Sequence, residues 1–254
     1  MASDTEIMWA RLTAAEIQAR ARPETVVLIP VASIEQHGPH LAVGVDTILA
    51  GAVAERTARR LHAAGTPALV TPTIWSGLAE HHMPFGGTMT LDLPTFMALV
   101  GGIARSVARH GFKRIALVNG HGGNTEAIAS SAIELTRTLG VPVVGLTYWL
   151  SNADTFGPIL EAQPNVMHAC EAETSMMMAL APDCVRADRI EAAVPKKFAP
   201  PAPPGFKRSR GFDAMTNTGV IGDPRTASAE KGERLLHAAA TRLAEEFARP
   251  ELWS

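Results

Sequence analysis

Four short apolar runs rich in valine, leucine and isoleucine, set between longer stretches with helical spacing, constrain this chain more than any other feature. The first is Thr25-Val26-Val27-Leu28-Ile29-Pro30-Val31. Ala68-Leu69-Val70-Thr71-Pro72, Arg114-Ile115-Ala116-Leu117-Val118 and Val141-Pro142-Val143-Val144-Gly145-Leu146 follow. A continuously apolar strand has no polar face to offer water, so these runs belong in a mainly parallel sheet covered on both sides. Between them, Asp46 to Ala64, Leu93 to His110 and Thr125 to Leu139 carry apolar residues at helical spacing, with Asp92 a candidate N-cap for the second. Each stops at a glycine: Gly65, Gly111 and Gly140. Helix, glycine and strand in that recurring order mark βαβ units. They predict a single α/β domain over residues 1–254, a three-layer α/β/α sandwich with a mainly parallel sheet.

The exception lies between Pro195 and Pro224. Ala199-Pro200-Pro201-Ala202-Pro203-Pro204-Gly205 can form neither regular helix nor central strand. Only a short helix is expected after it. The stretch at about 195–224 therefore reads as an irregular excursion from the domain and not as a linker between two.

Composition excludes several classes of function. An apolar fraction of 46% and a charged fraction of 19% over 254 residues are those of an ordinary globular protein. A chain of that length buries roughly 70–75% of its unfolded surface and needs no disulfides. A net charge of −2 gives no electrostatic reason to expect nucleic acid or a membrane surface as partner. The run Lys207-Arg208-Ser209-Arg210 is too short for a phosphate footprint. Cys170 and Cys184 form no CxxC pair and fit a reducing compartment. The opening MASDTEIMWARL lacks the charged and apolar regions of a secretory leader, and no apolar run approaches the ~20 residues of a membrane span. The expectation is a soluble, cytoplasmic protein.

Four polar segments carry the chemistry. Ser33-Ile34-Glu35-Gln36-His37-Gly38-Pro39-His40 follows the first strand at its carboxyl end, where open α/β sheets place their sites. Glu35 and His37, two apart in extended chain, project to one side, and Asp46 opens the next helix. Two carboxylates and an imidazole converging there form a metal half-site. The alternative is capping, with Asp46 as N-cap and His37 hydrogen-bonded in a turn. Val118-Asn119-Gly120-His121-Gly122-Gly123-Asn124 repeats the placement after the third strand. Its glycines could cradle a phosphate at a helix N-terminus. The loop lacks both the Lys-Ser/Thr ending of a P-loop and GxGxxG spacing, so His121 as a ligand is the better account.

Met167-His168-Ala169-Cys170-Glu171-Ala172-Glu173-Thr174-Ser175 leads into a methionine-rich helical stretch that reads as core. His168, Glu171 and Glu173 together have no such account, although Glu171 alone could serve the helix dipole. In Glu80-His81-His82-Met83-Pro84-Phe85-Gly86-Gly87-Thr88 the adjacent histidines are expected to point different ways, so that one at most faces any site. Of nine histidines, only His62, His110 and His237 fall on predicted helix faces.

Taken in order, these segments resemble the creatininase (creatinine amidohydrolase) family over nearly the whole chain. The Glu-x-His-Gly-x-His segment with its downstream aspartate matches as Glu35 to His40 and Asp46. The Asn-Gly-His loop matches as Asn119-Gly120-His121, in a glycine-rich NGHGGN form. The histidine followed five residues later by Glu-Thr-Ser matches as His168 and Glu173-Thr174-Ser175, and His-x-x-Phe-x-Gly-Thr as His82 to Thr88. The resemblance implies a creatininase-like α/β/α fold, a centre of one or two divalent ions (Zn²⁺, Mn²⁺ or Fe²⁺), and a homo-oligomer, often a hexamer. Carried over by residue, it makes Glu35, His37, Asp46 and His121 metal ligands, with Asp46 bridging, and His168 the proton-transfer residue.

One departure stands out. Creatinine-cleaving members resemble Asn-Gly-His-x-Glu-Asn, with the glutamate a metal ligand, and here Gly123 holds that place. Either Glu173 completes the second site or a single ion binds tightly. Relatives with the glycine-rich loop include formamide hydrolases and a peptide-cleaving branch. The expected function is a metal-dependent amidohydrolase acting on a small cyclic or formyl amide other than creatinine. His168 and Glu173 are its candidate catalytic groups, and His82, Gly122, Gly123 and Asn124 its candidate substrate-binding residues. The stretch from Lys196 to Gly222 is a candidate to line the site, with Arg208 or Arg210 reading an anionic group. Creatinine or peptide cleavage are the alternatives. A nucleotide-binding α/β protein and an inactive oligomeric scaffold are the rivals of another class.

Overall fold

The computed structural model describes residues 5–197, 199, 208 and 210–254. In chain order its elements are α1 (Ala14–Ala19), β1 (Val26–Val31), α2 (Val45–Ala63), β2 (Ala68–Val70), α3 (Leu93–Arg109), β3 (Arg114–Asn119) and α4 (Thr125–Leu139). β4 (Val143–Thr147), α5 (Ala153–Phe156), α6 (Glu171–Leu180), α7 (Ile190–Ala193), α8 (Phe212–Met215) and α9 (Ala229–Ala248) complete them. The four expected strands pair in parallel, in the order β2-β1-β3-β4.

Every residue of β1 is buried, because both faces of the sheet are covered. Val26, Leu28, Ala116 and Val118 share one core with Val53 of α2, Met176 of α6 and Leu235 of α9. Val27, Ile29, Ile115 and Leu117 share the other with Phe96 of α3 and Ile128 of α4. The three layers are thus the expected ones. From β1 the chain crosses to one edge of the sheet, and from β3 to the other. The carboxyl ends of these neighbours therefore open a crevice at the switch point.

Local signals set the helix ends. Asp92 accepts a hydrogen bond from the Thr95 N–H at 2.8 Å and caps α3. Gly65, Gly111 and Gly140 adopt φ of 86°, 100° and 64°, values that cost a side chain strain but cost glycine none. Val141 stays outside β4, which starts after Pro142 and its missing N–H.

One alternative falls and one expectation needs correction. The N-cap of α2 is Gly44, so Asp46 lies inside the first turn and its side chain is turned away from capping. The helix after the proline-rich stretch is not short: α9 has 20 residues and buries Leu235, Leu236, Ala239, Leu243 and Phe247. The excursion at 195–224 lies partly outside the described residues (198, 200–207 and 209). Its described part forms α8 and returns to the domain where His168 and Ile221 exchange both backbone hydrogen bonds, at 3.1 and 2.9 Å. Among the described residues no helix is long and apolar enough to cross a membrane.

Candidate metal centre

The crevice at the ends of β1 and β3 gathers Glu35, His37, Asp46, His121 and Glu173, all buried. Glu35 and His37 come from the loop after β1, Asp46 from the first turn of α2, His121 from the loop after β3, and Glu173 from the first turn of α6. They form two nests that share Asp46: Glu35, Asp46 and His121 in one, His37, Asp46 and Glu173 in the other. His121 Nδ1 lies 2.7 Å from Glu35 Oε2 and 3.0 Å from Asp46 Oδ2. His37 Nε2 lies 3.2 Å from Asp46 Oδ1 and 3.9 Å from Glu173 Oε2.

Backbone carbonyls orient both imidazoles. His37 Nδ1–H donates to the Glu35 carbonyl at 3.1 Å, which leaves Nε2 with a lone pair facing the carboxylates. His121 Nε2–H donates to the Leu78 carbonyl at 3.1 Å, which leaves Nδ1 in the same state. With both rings neutral, lone pairs would meet carboxylate oxygens, and beyond these mutual contacts Glu35 Oε2, His37 Nε2 and Asp46 Oδ2 are buried without a hydrogen-bond partner among the described residues. Such a set of converging acceptors fits a divalent cation.

Electrostatics tell the same story. Burial opposes charge on His37, yet Asp46, Glu173 and Glu35 outweigh it and raise the imidazole to about 9. His121 is raised well above its ordinary value, Glu35 and Asp46 overcoming its burial. Burial raises Glu35, against the pull of His121, and lifts Glu173 to about 7 against that of His37. Asp46 is held low, His37 and His121 outweighing its burial. Without an ion, protons must supply the positive charge that these carboxylates demand.

Supporting residues fix the ligands. Glu173 Oε2 accepts the backbone N–H of Ala169, a residue in the left-handed region at φ 53°. Glu171 is spent elsewhere, accepting from the Glu161 and Ala162 amides at 2.9 and 2.8 Å and from Lys231 Nζ at 2.6 Å. His40 Nε2 contacts Thr174 Oγ1 at 2.9 Å and ties the first motif to α6. Asn124 is buried. It accepts from the Leu78 N–H and donates to the Ala32 carbonyl and Asn119 Oδ1, so its polar atoms hold loops and not the cavity wall.

A cavity of about 230 Å³ opens over the two nests. Gly122, Gly123, His82 and His168 line it, and so does His81. That last placement corrects the expectation for adjacent histidines. Residues 80–85 form a 3₁₀ helix, whose turn places both rings on the cavity wall. Phe212 was not anticipated: its ring centroid lies 4.0 Å from that of His82 and 4.8 Å, edge-on, from that of His168. The expectation that the 196–222 stretch lines the site holds through Phe212, whereas neither Arg208 nor Arg210 is among the described lining residues.

Comparison with known proteins matches residues 10–247 to the family model described as Creatininase, creatinine amidohydrolase.

The chain belongs to the creatininase family.

Creatinine amidohydrolase of Pseudomonas putida is 35% identical over 245 residues, 89% of this chain and 90% of that protein. Mycofactocin precursor peptide peptidase of Mycolicibacterium smegmatis is 35% identical over 211 residues, 83% and 79% of the two chains. A crystal structure of creatininase superposes with a TM-score of 0.80 at 31% identity, covering 94% of this chain and 96% of the other. The creatininase-family fold thus carries the two nests on its switch point. At the place expected for a glutamate, Gly123 leaves no room: a Cβ there would overlap the Leu78 carbonyl and come within 2.5 Å of His121 Nε2.

Proposed function

We propose that this creatininase-family chain is a metal-dependent amidohydrolase that cleaves the C–N bond of a small cyclic or formyl amide. The observation that carries the reading is the division of Asp46, one oxygen toward His121 and the other toward His37. Glu35, Asp46 and His121 would hold one ion, and His37, Asp46 and Glu173 a second. Solved creatininase structures include one described as a Mn form and one as a Zn-Zn type, which supports Mn²⁺ or Zn²⁺ here. An ion in such a site acidifies water and polarises a carbonyl.

The chain's own groups do the rest. His168 donates Nε2–H to the Gln36 carbonyl at 2.8 Å and turns Nδ1 toward Glu35 Oε1 at 3.4 Å. Burial holds it well below its ordinary range, so it stands neutral at the cavity wall, able to receive a proton and pass it to the leaving nitrogen. Glu173 shares that duty from the second nest. A cavity of about 230 Å³ admits a small molecule, and no lysine or arginine is among its described lining residues, which favours an uncharged amide.

Peptide cleavage is the second reading, favoured by the small-residue wall at Gly122 and Gly123 and by the peptidase relative. The test is metal analysis of protein purified without chelator, followed by kinetics on creatinine, cyclic amides, formamides and short peptides. Active protein without metal would overturn the proposal, and efficient creatinine turnover would overturn the substrate assignment.

We also place the protein in the cytoplasm, which suits its free thiols Cys170 and Cys184. A homo-oligomer, of the hexameric kind the family resemblance implies, is supported by an apolar groove of about 710 Å³. Trp9, Ile74, Trp75, Leu99 and Ile103 line it, with Trp75 52% exposed.

A further inference from the structure

Gln36 lies between two proposed ligands, yet it takes no place in either nest. Its amide orientation is settled by two backbone groups. Oε1 accepts the Gly38 N–H at 2.9 Å, and Nε2 donates to the Gly219 carbonyl at 2.9 Å. Two ring nitrogens compete for the second amide proton, His82 Nδ1 at 2.9 Å and His168 Nε2 at 3.1 Å, and His168 Nε2 donates its own proton to the Gln36 carbonyl, which leaves His82 Nδ1. His82 Nδ1 must therefore accept, and the ring's single proton sits on Nε2. That nitrogen lies 3.2 Å from Glu35 Oε1. With Oε1 so engaged, Oε2 is the oxygen left for the nest, where it lies 2.7 Å from His121 Nδ1.

The far end of the chain of bonds is also built. Gly219 adopts φ 78°, and a Cβ there would overlap Gln36 Oε1, so only glycine brings this carbonyl onto the amide. Gly219 lies between Thr216 and Ile221, in the stretch that returns from the proline-rich excursion and pairs with His168.

We propose that Gln36 and His82 are positioning residues that aim Glu35 at the metal and couple it to the backbone at Gly219. The proposal rests on the reading of Glu35 as a metal ligand. The relay fixes which carboxylate oxygen faces the ion, and any movement of the 216–221 stretch is transmitted to that oxygen through two side chains. Hydrogen-bond partners of ligating groups typically contribute 10–100-fold in metal affinity.

The test uses zinc-loaded, ¹⁵N-histidine-labelled protein and long-range ¹⁵N–¹H correlation spectra, which read the His82 tautomer directly. The expected result is Nε2–H in the wild type. Gln36→Glu replaces the donor with an acceptor and should convert His82 to a form protonated on Nδ1, with zinc affinity lowered 10–100-fold. Should that variant not fold, His82→Gln and His82→Leu serve instead. The glutamine keeps a donor for Glu35 and should bind zinc within a few-fold of wild type, whereas the leucine should lose 10–100-fold. An Nδ1–H tautomer in the wild type, or His82→Leu binding zinc as tightly as wild type, overturns the relay. Failure of the metal reading shows separately, as no zinc uptake by the wild-type protein, because the tautomer is readable with or without zinc.

Discussion

Asp46 Oδ2 lies 3.0 Å from His121 Nδ1, while the other oxygen of the same carboxylate faces His37. A group that serves both nests cannot be lost without emptying both. Asp46→Ala should reduce bound Zn²⁺ or Mn²⁺ from at least one per chain to near none. His37→Ala, which belongs to one nest, should retain part of it. Elemental analysis of the two variants checks the order, and equal loss would refute the bridging role.

Metal uptake should release protons. His37, raised to about 9, holds a second ring proton at pH 7 when no ion is bound, and His121, raised well above its usual value by Glu35 and Asp46, favours the same state. An ion takes only the neutral imidazole, so each proton must leave as the ion enters. Because the folded values are raised, this competition persists until the pH passes about 9, and affinity should climb as pH rises from 6. Titration calorimetry of zinc in buffers of different ionisation enthalpy measures the release. Identical heats across buffers would contradict it.

His168 touches the cavity and belongs to neither Asp46-sharing nest, although with Glu35 and His37 it makes a third group whose ligand atoms lie within 4.8 Å of one another. His168→Ala should lower kcat by about 10²–10⁴ while leaving metal content intact. A variant that loses its metal would make His168 a ligand instead.

Gly123→Ala should weaken metal binding about 10–100-fold. The added Cβ meets the Leu78 carbonyl and His121 Nε2, the pair whose hydrogen bond fixes the His121 tautomer. For the same reason Gly123→Glu should not restore the ligand set of creatinine-cleaving relatives. Zinc titration of both variants decides the point, and full affinity in Gly123→Ala would count against it.

Phe212→Ala removes the ring that covers His82 and His168. Deleting so buried an aromatic should cost about 3–5 kcal/mol of stability. It should also open the cavity, so that the ratio of kcat/KM for bulky to small amides rises. Thermal unfolding and paired kinetics test the two effects independently, and an unchanged ratio would remove Phe212 from the substrate wall.

Much of this was legible in the sequence, for local reasons. The strands declared themselves because burial on both faces demands uninterrupted apolar runs, and the helix ends because Gly65, Gly111 and Gly140 need positive φ. Glu35, His37 and His121 were legible because polar, glycine-flanked residues after strands have little to do in a core, whereas Asp46 and Glu173, each in the first turn of a helix, were singled out as ligands by the family resemblance. What escaped was set by contacts distant in sequence. Gln36 carries no local signal, because the partners of its amide, Gly219 and His82, lie far along the chain. Phe212 has no neighbour in sequence that marks it for the cavity, and His81 reached the cavity only because its segment coils. α9 was underestimated because charged residues interrupt the apolar spacing of a helix whose buried stripe is largely alanine and leucine.

The last of these elements bears on how the protein comes into being. Gly232 of α9 sits so close to α6 that a Cβ would overlap the Ser175 carbonyl, two residues from Glu173. Ser228 N–H and Lys231 Nζ reach across the same contact, to Ser175 Oγ at 3.1 Å and Glu171 Oε1 at 2.6 Å. The helix that steadies Glu173 is thus synthesised after every residue of the two nests. A nascent chain still lacking α9 holds every residue of the two nests, but the helix that carries Glu173 lacks the partner packed against it. Final packing of α6, and with it the placement of Glu173, is therefore expected only after α9 has left the ribosome.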